Sequence, residues 1–147
     1  MSRTEHATRS PVQIISAVVG VVFLLVGVAG FIPGLVVGYD ALEFAGPDSG
    51  ALLLGLFQVS ILHNAVHLAF GVAGLALAQG PRGARLYLIG GGIVYLALWF
   101  YGLAVEPGGA ANVVPLNTAD NWLHLGLGVG MIVLGLVPGR RSVRGRP

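Results

Sequence analysis

Three histidines and one aspartate have the residue types and the spacing of a metal site. His63 and His67 are four residues apart, and so are Asp120 and His124, so each pair lies on one face of a helix. Imidazole nitrogens and a carboxylate oxygen suit a tetrahedral divalent metal. The sequence therefore offers His63, His67, His124 and Asp120 as a divalent-metal site. The HExxH form of zinc proteases is absent, because Asn64 follows His63.

A haem is a second interpretation of the same histidines. A helix rises about 1.5 Å per residue, which puts His67 and His124 at nearly equal depth, roughly 17 and 20 Å from their Arg-flanked ends. Two histidines at one level on different helices can hold a haem between them, and Gly71 and Gly128 would leave room for the ring. Tyr95 comes to roughly 15 Å on a third helix, so three helices would meet near one plane.

A purely structural interpretation is favoured over metal or haem binding. Asn64 and Asn121 each lie three residues before a histidine, and with Tyr95 they complete a predicted polar cluster. Polar groups inside a bilayer must be satisfied, and hydrogen bonds between helices contribute about 0.6 kcal/mol each. The cluster would then hold the helices together, with Asp120 capping its own helix. Movement of protons or small solutes past the histidines is less favoured, because four short helices with one acidic residue offer few groups for a pathway.

Four apolar segments must position these side chains. Each is long enough to cross a bilayer as a helix, and the 147-residue chain is 55% hydrophobic and only 10% charged, as is typical of helical membrane proteins. Asp48 and Ser49 are predicted to cap the start of the second segment, and the fourth opens on Asn117 and Asp120 in the spacing of a capping box. We therefore predict an all-α fold, a single integral membrane four-helix bundle over residues 1–147, with spans at about 12–32, 51–78, 86–105 and 117–137.

The charged residues predict how the bundle is oriented. All eight positive charges are arginines in three groups, and every acid except Glu5 lies in or beside the two segments between those groups. Because Arg and Lys stay on the cytoplasmic side, both termini and the 79–85 turn should be cytoplasmic, in a multi-pass protein of the cell inner (plasma) membrane. The Arg-rich ends suit anionic lipid, so the lipid bilayer is the expected partner and nucleic acid is not.

A short internal match suggests two related halves. The ten residues from His63, HNAVHLAFGV, share five identities with the ten from Asp120, DNWLHLGLGV. Each half would be one helical hairpin, and the two would point the same way about an axis along the membrane normal. The first and third segments share little sequence.

Glycines inside the segments predict close helix contacts. Gly126 with Gly130 and Gly74 with Ala78 have the spacing of small residues that let helix backbones approach in lipid, and the run 90–92 thins one face of the third segment. A compact bundle, a homo-oligomer or a complex with another membrane protein would use such faces.

The chain resembles a family of small bacterial membrane proteins, domain of unknown function 4383, over about residues 10–137. The resemblance lies in His63-Asn64-x-x-His67 in the second segment, Gly-Gly-Ile-Val-Tyr95 in the third, and Asn117-x-x-Asp120-Asn121-x-Leu-His124 in the fourth. It implies a four-span inner-membrane protein and brings no established activity with it.

The expected function is therefore a structural or partner-binding membrane protein, with metal or haem binding by His63, His67 and His124 as the alternative. An enzyme is not favoured, because the chain has no Cys and no Ser is seen paired with a base.

Overall fold

The computed structural model describes residues 9–138, and most of them are helical. The prediction of a mostly helical chain with four helices is confirmed. The helices are α1 (Pro11–Ala29), α2 (Ile61–Leu77), α3 (Pro81–Ala104) and α4 (Thr118–Gly135).

Local signals explain where the helices begin. α1 and α3 each start with a proline, whose fixed φ suits the first turn and whose missing N–H costs nothing there. At the start of α4, Asn117 Oδ1 accepts from the Asp120 N–H (3.0 Å), and Asp120 Oδ2 accepts from the Asn117 N–H (3.0 Å). The predicted capping box is therefore confirmed.

The four helices form two antiparallel hairpins, because α1 packs mainly along α2 and α3 mainly along α4. The turn between α2 and α3 lies at one end of the bundle, here called the turn end. The other end, here called the sheet end, carries the connections between α1 and α2 and between α3 and α4. A central core joins the hairpins and includes Phe23, Tyr87, Leu88, Tyr95 and Met131.

The sheet end contains β structure that the all-α prediction did not include. Strands β1 (Val36–Val37), β2 (Leu52–Leu53) and β3 (Phe57–Gln58) form an antiparallel sheet in that order. Val36 pairs with Leu53, and Leu53 also pairs with Phe57. A short 3-10 turn at Tyr39–Ala41 follows β1.

The predicted second span, 51–78, is therefore wrong at its start. Its first ten residues form the β2–β3 hairpin, and α2 begins only after Ser60, whose Oγ accepts from the His63 N–H. The hairpin turns at Leu54 and Gly55, both with positive φ. The stretch is apolar because Ala51, Leu53 and Val59 pack with Val36 in a second small core. Asp48 and Ser49 do not cap the helix as predicted.

Two of the helices in the described residues are long and apolar enough to cross a membrane. These are α1 with 19 residues and α3 with 24. α2 is apolar but shorter, with 17 residues. α4 has 18 residues.

Candidate functional site

Five rings from all four helices meet towards the sheet end and form what we call the ring cluster. His63 stacks on His67 (centroids 4.6 Å apart), His67 on Phe23 (5.6 Å), and Phe23 on Tyr95 (5.4 Å). Tyr95 contacts His124 (5.3 Å), and His124 contacts His63 (6.3 Å), which closes the circle. The structure therefore brings the three predicted histidines and Tyr95 together, and it adds Phe23.

Hydrogen bonding within the ring cluster is sparse. His67 Nδ1 donates to the backbone carbonyl of His63 one turn earlier (3.1 Å), which fixes the orientation of the His67 ring. Nδ1 of His63 and Nδ1 of His124 are buried and have no hydrogen-bond partner in the described structure. The three histidine rings therefore contact one another through ring packing, with no hydrogen bond from one ring to another.

Two small cavities are lined by all three histidines of the ring cluster. One, of about 120 Å³, lies between the cluster and the sheet and is lined by Leu53, Phe57 and Asp120 as well as the three histidines. The other, of about 60 Å³, lies beside Tyr95 and His124. Ligand pockets for small molecules usually hold roughly 300–1,000 Å³, so these cavities suit water better than an organic cofactor.

Asp120 sits at the edge of the ring cluster and is only 2% exposed. Its Oδ2 accepts from the Asn117 N–H and also from the Gln58 N–H of β3 (3.0 Å). Asn117 Nδ2 donates to the carbonyl of Leu56 in the same hairpin (2.8 Å). The start of α4 therefore holds the β2–β3 hairpin of the first half over the cluster.

The two asparagines lie apart from the rings and join helices within each hairpin. Asn64 Nδ2 donates to the carbonyl of Gly30 at the end of α1 (2.7 Å). Asn121 Nδ2 donates to the carbonyl of Gly102 near the end of α3 (3.0 Å). Of the predicted polar cluster, only Tyr95 belongs to the ring cluster.

The same kind of bond recurs at the turn end. Gln13 Nε2 donates to the carbonyl of Ala78 (3.1 Å), and Arg85 Nε donates to the carbonyl of Gly135 (3.0 Å). Both side chains thus come from the first turns of one helix and donate to backbone carbonyls at the end of the antiparallel helix. Carbonyls at a helix end have no acceptor role within the helix itself, so these bonds satisfy them.

Each of these contacts in the first hairpin has a counterpart in the second, at a constant offset in residue number. Residues on α1 and their counterparts on α3 differ by 72 positions in every case, and residues on α2 and α4 differ by 57. The matched pairs, on the evidence of their contacts, are Gln13 with Arg85, Gly20 with Gly92, Phe23 with Tyr95, Gly30 with Gly102, Asn64 with Asn121, His67 with His124, Gly71 with Gly128, and Ala78 with Gly135.

The arrangement does not fit the predicted metal ligands. His63 and His67 are stacked with only 18° between their ring planes, so their nitrogens do not converge on one point. Oδ2 of Asp120 is already engaged by two backbone N–H groups. Within residues 9–138, no group of three or more His, Cys, Asp or Glu side chains is placed to hold a metal ion.

A haem between His67 and His124 does not fit either. The contacts that link those two rings run through Phe23 and Tyr95 on one side and through His63 on the other. Gly71 and Gly128 leave no room for a large ring, because each packs on the backbone of a neighbouring helix. A Cβ on Gly71 would lie 2.7 Å from the Gly20 carbonyl oxygen, and one on Gly128 would lie 3.0 Å from that of Gly92.

The predicted glycine contacts are only partly formed. A Cβ on Gly74 would lie 2.8 Å from the Cα of Gly20, so this position lies at a tight helix contact. Gly126 and Gly130 have nothing within 4 Å of the position of a Cβ. They lie along an open groove between α1 and α4, and not at a contact inside the bundle.

One known protein family matches most of the chain. The family described as Domain of unknown function (DUF4383) matches residues 13–137. The chain belongs to this family. No curated protein and no solved structure matches it. The DUF4383 region includes the whole ring cluster and every matched pair named above.

Sequence reasoning missed three residues in this DUF4383 region. Gln13 and Ser16 are the polar interruptions of the first apolar segment, and both are buried, with Ser16 Oγ bonded to the Gly74 carbonyl (3.0 Å). A polar residue in an apolar helix was the available signal for both. Phe23 had no such signal, because a phenylalanine is ordinary in an apolar segment.

Proposed function

We propose that this DUF4383 protein is a four-span protein of the cell inner membrane, and that the ring cluster locks its two hairpins into one bundle. The distribution of polar and apolar side chains supports the membrane proposal most strongly. Large apolar side chains are more than half exposed on every helix, for example Leu25, Val72, Leu86 and Val133. Most polar side chains within the helices are buried, and the exposed ones lie in the first two turns of α3 and α4, at Arg82, Arg85 and Thr118. The buried ones are Gln13, Ser16, His63, Asn64, His67, Asp120 and His124.

Such a pattern is the reverse of a water-soluble bundle and matches a bundle surrounded by lipid. α2 and α4 span roughly 26 and 27 Å at 1.5 Å per residue, slightly less than the 30 Å hydrocarbon core. A helix this short is accommodated by local thinning of the bilayer at modest cost. The β2–β3 hairpin would then lie at the outer interface, directly above the ring cluster.

We also infer that the two hairpins are copies of one ancestral unit that point the same way. The constant spacing of the matched pairs supports this inference, since unrelated hairpins would not repeat both the contacts and the offsets. With the arginines at the turn end, both termini and the turn between α2 and α3 face the cytoplasm.

The topology can be tested directly because the chain has no cysteine. Single cysteines replace the exposed Gln79 in the α2–α3 turn or the exposed Gly108 in the α3–α4 connection. In intact cells, a membrane-impermeant maleimide should label Gly108→Cys and leave Gln79→Cys unlabelled until the membrane is permeabilised. Labelling of both variants in intact cells would contradict the proposed orientation.

The role of the ring cluster follows from its composition. It takes one ring from each of α1, α3 and α4 and two from α2, and its only internal hydrogen bond lies within α2. Packed aromatic rings contribute about 0.5–1.5 kcal/mol per pair beyond their buried area. We therefore propose a structural or partner-binding function, in which the cluster fixes the hairpins and the outer surface meets lipid, a second copy or another membrane protein.

Two substitutions at His67 separate ring packing from ligand binding. His67→Ala should destabilise the bundle by about 2 kcal/mol, the lower end of large-to-small core changes, because it opens a cavity. His67→Phe keeps the ring and should recover most of that loss. Unfolding of the detergent-purified protein measures both, with the exposed Val72→Ala on α2 as the control.

Elemental analysis of the same preparations tests the alternative proposal, in which the histidines bind a metal or a haem. Near-stoichiometric iron, zinc or copper in the wild type, lost in a His63/His67/His124 triple-Ala variant, would overturn the locking proposal in favour of a cofactor protein. A His67→Phe variant as unstable as His67→Ala would count against ring packing.

A further inference from the structure

A large cleft lies at the turn end, away from the ring cluster. It has a volume of about 560 Å³ and lies between the start of α1 and the first four turns of α3. Ligand pockets commonly fall in the range of roughly 300–1,000 Å³, so the cleft is large enough for part of a lipid.

One end of the cleft is cationic. Arg82 and Arg85 both line it, and both side chains are exposed. Arg85 donates through Nε and Nη2 to the carbonyls of Gly135 and Val137, which holds its guanidinium in place. Among residues 9–138, no acidic side chain lies near this end of the bundle, because the acids lie between residues 40 and 48 or at 106 and 120.

Apart from Ser10, the rest of the cleft is apolar, and it runs along α3. Leu86, Ile89 and Ile93 line it over two helical turns, roughly 10 Å, and Val12 contributes from α1. Gly90 lies in the middle, and a Cβ there would meet nothing within 4 Å. The missing side chain leaves an open channel on the surface that would face lipid.

We propose that this cleft binds an anionic phospholipid, with the phosphate on Arg82 and Arg85 and one acyl chain along the channel over Gly90. Guanidinium groups are well suited to phosphate because they donate two parallel hydrogen bonds. The channel continues from the cationic end along the helix axis, so a head group and its chain can occupy both parts at once. This inference rests on the proposed membrane location and adds a specific lipid partner to it.

The test uses the full chain reconstituted into vesicles of equal parts phosphatidylglycerol and phosphatidylcholine, then extracted gently and weighed by native mass spectrometry. The wild type should retain phosphatidylglycerol in preference to phosphatidylcholine. One basic residue near an anionic surface contributes about 1 kcal/mol, so Arg82→Gln should reduce retention about five-fold. Gly90→Leu should reduce it as well by filling the channel.

Two matched variants control for charge and for bulk. Arg9→Gln removes the same charge from the same end outside the cleft, and Gly126→Leu fills an open glycine position on α4. Both should retain lipid like the wild type. Equal retention of the two lipids, or equal loss in Arg82→Gln and Arg9→Gln, would overturn the proposal. Release of the chain from membranes by alkaline carbonate would instead contradict the membrane location itself.

Discussion

Replacing Gly92 with valine is expected to destabilise the bundle severely, with the apparent melting temperature in detergent falling by roughly 10 °C or more. A Cβ on Gly92 would lie 2.7 Å from the Gly128 carbonyl oxygen and 3.1 Å from the backbone nitrogen of Ile132. Both of these are backbone atoms of α4, so no side-chain rotation can relieve the clash. α3 and α4 would have to separate along the contact that holds the second hairpin together.

Gly90 provides a control two residues away in the same helix. A Cβ at Gly90 has nothing within 4 Å, and valine carries the same helix-propensity cost at either position. Gly90→Val should therefore melt close to the wild type in a fluorescence-detected thermal unfolding assay. Equal losses of stability in Gly90→Val and Gly92→Val would contradict the proposal that Gly92 is needed for close contact between α3 and α4.

The matched position on α1 extends this prediction to the first hairpin. A Cβ on Gly20 would lie 2.9 Å from the Gly71 carbonyl oxygen and 3.0 Å from the Leu75 nitrogen of α2. Gly20→Val should therefore resemble Gly92→Val in size. Similar losses would mean that the same kind of glycine contact joins the two helices within each hairpin, as expected of copies of one unit.

The helices could be predicted because their signals are local. Long apolar segments, the prolines at 11 and 81, and the pair Asn117 and Asp120 each act within one or two turns. The start of α2 could not be predicted in this way. Residues 51–59 are as apolar as a buried helix, and periodicity alone does not separate a short buried strand from a helix. Leu54 does not indicate a turn by its residue type either, because its positive φ is set by the hairpin around it.

The candidate site was partly predictable for the same reason. Spacing of four residues was enough to stack His63 on His67. Asn64 was expected on the face of His67, but three residues fall short of a full helical turn, and its amide reaches Gly30 on α1 instead. Phe23 and the sheet above the rings depend on contacts between distant segments, which no local pattern records.

The relation between α1 and α3 was hidden because the residue types differ while the contacts agree. Gln13 and Arg85 are unlike in charge, yet both donate to carbonyls at the end of the partner helix. Phe23 and Tyr95 differ by one hydroxyl and stack on each other between the hairpins. Glycine is the shared residue type where helix backbones approach most closely, at positions 20 and 92.

Removing the carboxylate of Asp120 is expected to release the β2–β3 hairpin without unfolding the helices. Asp120→Ala takes away the acceptor of both the Gln58 N–H and the Asn117 N–H. Loss of a helix cap costs about 1 kcal/mol, and a further backbone hydrogen bond contributes about as much. Of the two lost bonds, only that to Gln58 joins α4 to the hairpin, so its loss corresponds to roughly five-fold faster amide exchange in β3 if the hairpin opens as one unit. Loss of the cap should speed exchange at the start of α4 by a similar factor.

Hydrogen–deuterium exchange followed by mass spectrometry resolves this effect in peptides covering residues 52–60 and 117–124. Asp120→Asn keeps one carbonyl oxygen and should lie between the wild type and Asp120→Ala, while the exposed Glu106→Ala on the other connection should exchange like the wild type. Faster exchange in 117–124 alone would mean that the small core of Val36, Ala51, Leu53 and Val59 holds the hairpin unaided. Faster exchange in both peptides, with α1 and α3 unchanged, would identify Asp120 as the residue through which α4 closes the sheet over the ring cluster.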